Sequence, residues 1–452
     1  MFKLTLTWLF CTIVLLAPSS AHAEITPSVT PPSTRELLNE FGSAPNGLVR
    51  YSYLTSVIPV LQGDDKSLAQ QLLATVDSEL GLYDEALMIF PFDNRIAPPR
   101  NMPLPNIDDW RSEDAAYTIE KMAAKRHIVM VNEAHHDAHT RQLTLELLPR
   151  LRALGFRYFA AEALGDKDPD LMQRGYATDQ SGTEYLLEPL YGEIIRQAIK
   201  LGYILVPYDP ETASLTDRDT QEAHTLYEKV FAQDPKAKLF VHAGYSHIDK
   251  APGNLGDDIK PMAMQLKQLS GYDPLCADQV QFRDVAVGGL DFGYYSNVAV
   301  SFMPKGPIVL RNRHSDTVWT SDPLRHDVTV ILPPAAERDL DVNGIMRADV
   351  MRREIVLPRT PFDLDERPEW LTLDHKRVPF PITLDMCNGQ IPCVVEAHYP
   401  AEPDAAVPAD RYTFTHFHSH NVLYLYPGRY RLRAWNASGA TLSQQDIEVP
   451  AP

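Results

Sequence analysis

The chain predicts an α/β fold: a parallel β-α-β core with its site at the C-terminal ends of the strands, preceded by a helical lead-in and followed by a small all-β, sandwich-like module. Two observations carry the core. Four apolar, strand-like runs each end on an ionisable residue, HIVMVNE at Glu133, YFAAE at Glu162, ILVPYD at Asp209 and KLFVH at His242. Each is followed by a loop and a helix-like stretch, the pattern by which parallel strands bring their last residues to one rim. A third observation sets the end of the chain: NVLYLYPGRYRLRAWNASGATLSQQDIEV reads as two or three antiparallel strands with a proline-glycine turn and an NASG turn.

Taken in order, Met1 to Ala23 combine an early cation at Lys3, an apolar run from Leu4 to Leu16 and Ala21-His22-Ala23 before Glu24, which together predict a cleavable secretory signal. The expected location is periplasmic or secreted. After cleavage no membrane span is expected, because no other stretch approaches the roughly 20 apolar residues a spanning helix needs. Residues 24–110 read as a helical lead-in and proline-rich linker. Their SELGLYDEALMIFP resembles one half of a tetratricopeptide repeat, and a single copy reads as an ordinary helical segment. Residues 111–360 form the expected α/β domain. Ser112 is the expected cap of a helix through Lys125, and strand 127–133 follows it. The next helix reaches Gly155, aligns Leu143, Leu147, Leu151 and Leu154, and carries Pro149 as a kink or break. Further helices are expected around Glu184 to Lys200, Asp217 to Ala232 and Asp257 to Leu269. Beyond about 290, SNVAVSF, GPIVLRN and DVTVILPP read as apolar runs between turns, with helical periodicity only near Ile345 to Arg353. Residues 361–452 form the expected β module, separable from the site.

A net charge of −18 without a Lys/Arg stripe argues against nucleic acid and fits a solvated exported protein; the partner expected for the strand-end site is a small-molecule or peptide substrate. Of the four cysteines, Cys11 leaves with the signal. Cys387 and Cys393 flank a turn-like NGQIP and are expected to pair in an oxidising compartment, leaving Cys276 as a buried thiol.

The densest chemistry follows the first strand: Asn132-Glu133-Ala134-His135-His136-Asp137-Ala138-His139-Thr140-Arg141. Imidazoles and carboxylates this close suit general acid-base work or metal ligation. Glu133 precedes the histidines, so this is not the HExxH of zincins. His139 reads as a solvated residue of a helix first turn, and at least one of His135 and His136 as functional. The fourth strand ends in His242-Ala-Gly-Tyr-Ser-His247, where Gly244 permits a close backbone approach. Arg218 opens the third helix and either reaches an anion at the rim or pairs with a neighbouring acid. His416, His418 and His420 alternate along a strand and read as exposed edge residues rather than a metal clip.

These residues resemble a family. NEAHHDAHTRQLTLELLPRLRALGFRYFAAEAL is similar to the segment of the erythromycin esterase-like and ChaN-like superfamily, related to the Tiki/TraB group, in which a Gly-Glu-x-x-His or Gly-Glu-x-His motif opens a helix and a second glutamate ends the next strand. RDTQEAHTLYEKVF resembles that superfamily's R-D-x-x-M-A helix, and KLFVHAGYSHI its histidine-bearing strand end. The resemblance covers about residues 120–285. Asn132 departs from the family's glycine, and Glu222-Ala223 stands where Met-Ala is usual. What the resemblance implies is a hydrolase-like rim in which Glu133, His136 and Glu162 activate water on an ester or amide, no cofactor being required. His136 is the expected base, with His242, His247 and Arg218 assisting. The competing implication is haem or divalent-metal binding without turnover, or a metal-dependent peptidase, with His135 and Asp209 as cofactor contacts and Glu133, His135, His136 and Glu162 as the metal set.

Overall fold

The computed structural model describes residues 31–96, 103–210, 217–256, 258–285, 294–334, 367–417 and 420–451. The expected signal segment, the periodicity near Ile345 to Arg353, His418 and the His420 side chain lie outside the described residues.

The lead-in is helical: α1 Thr34–Ser43, α2 Gly47–Val57, α3 Gly63–Glu79 and α4 Tyr83–Ile89. The central sheet then takes β1 Trp110–Asp114, β2 Ile128–Glu133, β3 Tyr158–Ala161, β4 Ile204–Val206, β5 Leu239–Gly244, β6 Leu275–Phe282, β7 Ile308–Asn312 and β8 Val328–Ile331. Their order is β1-β7-β8-β6-β2-β5-β3-β4. From β8 to β4 every neighbouring pair is parallel, and β7 runs antiparallel to both of its neighbours. The helices of this region are α5 Ala115–Ala123, α6 Gln142–Ala153, the single turn α7 Leu171–Arg174, α8 Pro189–Lys200, α9 Arg218–Leu226, α10 Met262–Ser270 and α11 Tyr294–Phe302.

Two cores sandwich the sheet. Val129, Val131, Phe159 and Phe240 face Leu143, Leu147 and Leu151 of α6 and Ile194 of α8. Met130, Ala160, Leu239 and Val241 face Ala223 and Leu226 of α9 and Met262 of α10. The chain therefore winds outward through β2, α6, β3, α8 and β4 on one face and returns through α9, β5, α10 and β6 on the other. Between β2 and β3, where β5 inserts, the winding reverses, and such a crevice at the strand C-termini is where open α/β sheets place ligands.

Several local expectations change. Ser112 lies in β1, paired to Leu310, and Asp114 caps α5 by accepting from the Tyr117 N–H at 2.6 Å. Pro149 sits inside α6 without ending it. The fourth helix starts after Pro261, whose fixed φ suits a helix start. SNVAVSF belongs to helix α11, because Tyr295, Val298 and Ala299 recur at helical spacing on its buried face.

The C-terminal region holds β9 Val378–Thr383, β10 Cys393–His398, β11 Asp410–Phe414, β12 His420–Leu425, β13 Gly428–Asn436 and β14 Thr441–Val449, as an antiparallel sheet β11-β10-β13-β14 beside the pair β12-β9. Cys387 and Cys393 form a disulfide, with Cα atoms 6.0 Å apart, and Cys276 is a buried free thiol. This module does not close on itself. Its Val394, Phe414, Tyr430 and Leu432 share one core with Leu37, Leu48, Leu54 and Leu73 of the lead-in helices. The two ends of the chain thus cover each other's apolar faces, which short strands and short helices need in order to bury enough surface. Nor does the C-terminal region stand clear of the rim loop, since Trp370 stacks on His139 with ring centroids 4.7 Å apart.

Candidate functional site

Glu133 is the last residue of β2, and its register partner on β5 is Gly244. Its carboxylate is buried and fully engaged. The Oε1 atom accepts from His135 Nδ1 at 2.9 Å, and Oε2 accepts from Arg141 Nε at 2.8 Å with His242 Nε2 at 3.2 Å. Burial alone would raise its pKa, but Arg141, His242 and the His135 hydrogen bond hold it well below the usual carboxylate range. An ionised acceptor requires the proton on His135 Nδ1, so His135 presents Nε2 as its free nitrogen. Arg141, with 0% of its side chain exposed, bridges Glu133 to Glu188 at 2.9 Å.

Glu162 follows β3 directly. Its Oε2 accepts from the Gly244 N–H and its Oε1 from Arg218 Nη2 at 2.6 Å. His135 Nε2 stands 3.9 Å and His247 Nε2 4.0 Å from the same Oε1. Against the cost of burial, His247, His135, Arg218 and the Gly244 N–H hold Glu162 at about 2. Gly244 is needed here for space: a Cβ on it would lie 2.4 Å from His135 Cε1 and 3.0 Å from Glu162 Oε2.

Arg218, at the first turn of α9, also binds Asp209 through Nε at 2.8 Å and Nη2 at 2.9 Å. Arg218 thus pairs with neighbouring acids, as its alternative reading has it, and one of those acids, Glu162, lies at the rim. His247 lies in a 3-10 turn, Tyr245–Ile248, with Nδ1 at 3.0 Å from Asp219 Oδ1 and 3.3 Å from Glu222 Oε2. Burial disfavours its charged form, but Glu162, Asp219 and Glu222 raise its pKa well above the ordinary imidazole value.

The structure thus brings Glu133, His135, Glu162, Asp209, Arg218, His242 and His247 into one cluster. His136 has a different place from the one expected. Neither glutamate touches it; it stacks on Phe90 of the lead-in with centroids 3.7 Å apart, and its Nδ1 is 3.4 Å from the Tyr245 hydroxyl. Burial, then Arg283, lower its pKa well below the ordinary value. The imidazole between the two carboxylates is His135. His242 is not the end of its strand, which runs on to Gly244; it sits two pairs deeper, opposite Val131, with Nδ1 2.8 Å from Thr144 Oγ1, and supports Glu133 from behind. His139 is buried rather than solvated, and burial takes its pKa down to about 3.

Sequence reasoning gave no role to Arg141 and Tyr245, though both lie in the segments it singled out, and missed Tyr185 altogether. Tyr185 stacks on His135 at 4.2 Å, and Tyr245 meets the same ring edge-on at 5.1 Å. Tyr245 has φ 43, a strained left-handed backbone for a bulky residue, and its carbonyl accepts from Asn132 Nδ2 at 2.9 Å. Asn132 also donates to Asp278 Oδ1 at 2.8 Å, so this side chain ties β2 to β6 and to the strained turn.

The metal set implied by the resemblance does not converge. His136 faces Phe90 and Tyr245, and the oxygens of Glu133 and Glu162 are taken up by Arg141, Arg218, His135, His242 and the Gly244 N–H. A cation there would sit against two guanidinium groups. Around His135 stand Glu162, Tyr185 and Tyr245, with Arg218 and His247 beyond, where a porphyrin would require broad apolar walls.

No family model and no curated protein matches this chain. Among solved structures, the type III effector HopBA1 aligns with TM-score 0.27 and 14% identity over 41% of this chain and 86% of its own. A structure described as bacterial protein toxins aligns with TM-score 0.26 and 15% identity over 54% of this chain, which spans 45% of that one.

Proposed function

We propose that the rim hydrolyses an ester or amide bond, with His135 taking the base role expected of His136. One observation carries this reading: the Nε2 atoms of His135 and His247 face a single oxygen of Glu162 at 3.9 and 4.0 Å. Those gaps are too long for direct hydrogen bonds and of the size that one water molecule spans. A water held by Glu162 Oε1 gives its proton to His135 Nε2 as it attacks the carbonyl carbon. The proton already on Nδ1 stays with Glu133, whose charge stabilises the imidazolium that forms. Glu133 can do this without moving because Arg141 and His242 fix its other oxygen. On the opposite side, His247 Nε2–H protonates the departing oxygen or nitrogen, and the Nδ1 proton stays on the ring, donated to Asp219. Arg218, half-exposed at the mouth, stabilises the developing oxyanion.

The test is a panel of p-nitrophenyl esters and p-nitroanilides of graded acyl length. Wild type should turn over at least one, and His135→Asn, Glu162→Gln and His247→Asn should each remove that activity while leaving the far-ultraviolet circular dichroism unchanged. Turnover that survives His135→Asn and Glu162→Gln, or that falls in His136→Asn alone, overturns the assignment.

A further inference from the structure

Position 222 is where the resemblance implies methionine and this chain carries glutamate. Glu222 lies one turn along α9 from Arg218, which brings both side chains to the same face of the helix. Its carboxylate is completely buried, with Oε1 3.1 Å from Arg218 Nε and Oε2 3.3 Å from His247 Nδ1. Asp219 meets the same nitrogen at 3.0 Å and is itself fixed by the Met262 N–H of α10 at 2.7 Å. One ring nitrogen is thus flanked by two carboxylates, while the other nitrogen of the ring faces the rim.

We propose that Glu222 is a positioning residue that shares the Nδ1 proton of His247 with Asp219, fixing the ring with a protonated Nε2 aimed at Glu162. The inference rests on the acid-base reading of the rim and adds the device that keeps its acid charged. Asp219 orients the imidazole by its hydrogen bond, and a second carboxylate 3.3 Å from the same nitrogen adds an attraction that favours the doubly protonated ring further. The groups facing Glu222 are Arg218 and Asp219 from its own helix, Glu162 from the end of β3, the Tyr208 hydroxyl and His247. Burial pushes the Glu222 carboxyl up to about 7 while His247 pulls it down, and both of its oxygens face N–H donors, Arg218 Nε and His247 Nδ1, an arrangement that favours the ionised form. The salt link to Arg218 adds a second effect. Arg218 is drawn toward Glu222 and Asp209 as well as Glu162, which sets the position of the cation at the mouth.

The donor atoms of Asp219, Glu222 and His247 lie within 4.8 Å of one another, the spacing of a cation site as well as of a shared proton. Arg218 beside Glu222 favours the proton, because a divalent ion would lie against its guanidinium.

The experiment uses the full chain labelled with ¹⁵N-histidine and reads the Nδ1 and Nε2 shifts of His247, assigned by their loss in His247→Asn, across pH 5 to 9. In wild type both nitrogens should remain protonated past neutrality. Glu222→Met should lower the His247 midpoint by about one unit or more, and the isosteric Glu222→Gln should lower it by less. An unchanged midpoint in either folded variant overturns the proposal. So does stoichiometric Zn²⁺ or Mn²⁺ binding that Glu222→Met abolishes, which would make the cluster a metal site. No turnover is read, so failure here leaves the hydrolase reading standing, and failure of the p-nitrophenyl and p-nitroanilide panel leaves the proton-sharing result interpretable.

Discussion

Glu133 and Glu162 end strands on either side of β5, both are buried, and both have their pKa values pulled down by cations and imidazoles, yet their surroundings differ in one respect. Around Glu133 two of the three partners are interior: Arg141 and His242 have no exposed side chain, and only the shared His135 reaches the rim. Around Glu162 they reach solvent, with 29% of the Arg218 side chain exposed. A buried charge with a buried partner cannot relax when that partner is lost, whereas a charge at the mouth can recruit water. The comparison therefore divides the site into a fixed anchor, Glu133 with Arg141 and His242, and a working edge, Glu162 with Arg218 and His247.

The strongest test of that division is stability. Arg141→Met leaves Glu133 and Glu188 without their shared cation and should cost about 3–5 kcal/mol in urea unfolding. Arg218→Met should cost less, about 2 kcal/mol, because water can reach Asp209 in its place and the buried Glu222, which burial pushes up to about 7, can take a proton once its cation is gone. Equal costs would mean that the edge is as much part of the core as the anchor.

Next in size is the effect on turnover of whichever ester or anilide proves to be a substrate. Glu133→Gln and Glu162→Gln should each lower kcat by about 100-fold or more, and the double change should add little, as expected of groups that act through one imidazole. Losses that multiply instead would separate the two carboxylates into independent roles.

Acid titration gives a smaller and more selective effect. Glu162 has a folded value of about 2 against about 4.3 unfolded, so its contribution is present above the unfolded value and lost as pH falls from about 4.3 toward 2. Glu133 has the same sign. His247 has the opposite sign: its raised value gives a contribution fully present below about 6.5 and lost as pH rises through the folded value. Urea midpoints at pH 5 and pH 3 should therefore fall steeply in wild type and less in Glu162→Gln. An unchanged slope would show that Glu162 is not held ionised in the fold.

Much of this was legible in the sequence because period and strand-end chemistry are local. Apolar runs closing on Glu133 and Glu162 identified parallel strands and their rim, and the leucine spacing of α6 identified its buried face. Contacts made across the fold were not legible. Nothing in the loop after β2 says which of two adjacent histidines will meet the carboxylates; that is decided by Tyr185 and Tyr245, which hold His135, and by Phe90 at the end of the distant α4, which takes His136 away. His242 was read as a strand end because the polar residue looked like a boundary, but Gly244 pairs with Glu133 and carries the strand two residues further. The shared core of the lead-in and the C-terminal module has no sequence period at all, since its halves lie at opposite ends of the chain.

The smallest expected effect concerns the contact that separates His136 from the working edge. Phe90 covers that imidazole from the lead-in, and Phe90→Leu keeps most of the buried volume while removing the aromatic face, so it should cost about 1 kcal/mol. The imidazole it covers is one that burial and Arg283 keep from charging, and its nearest polar neighbour is the Tyr245 hydroxyl, which burial pushes up to about 12 and so remains a donor. His136 then accepts from Tyr245, and Tyr245 meets His135 only with its ring edge, so the link from Phe90 to the reacting imidazole passes through two packed rings. Turnover of Phe90→Leu should fall less than tenfold, with the pH profile of kcat/KM unmoved. A loss as large as that of Glu162→Gln, or a shifted profile, would return His136 to the chemistry and dissolve the distinction between anchor and edge on that side of the rim.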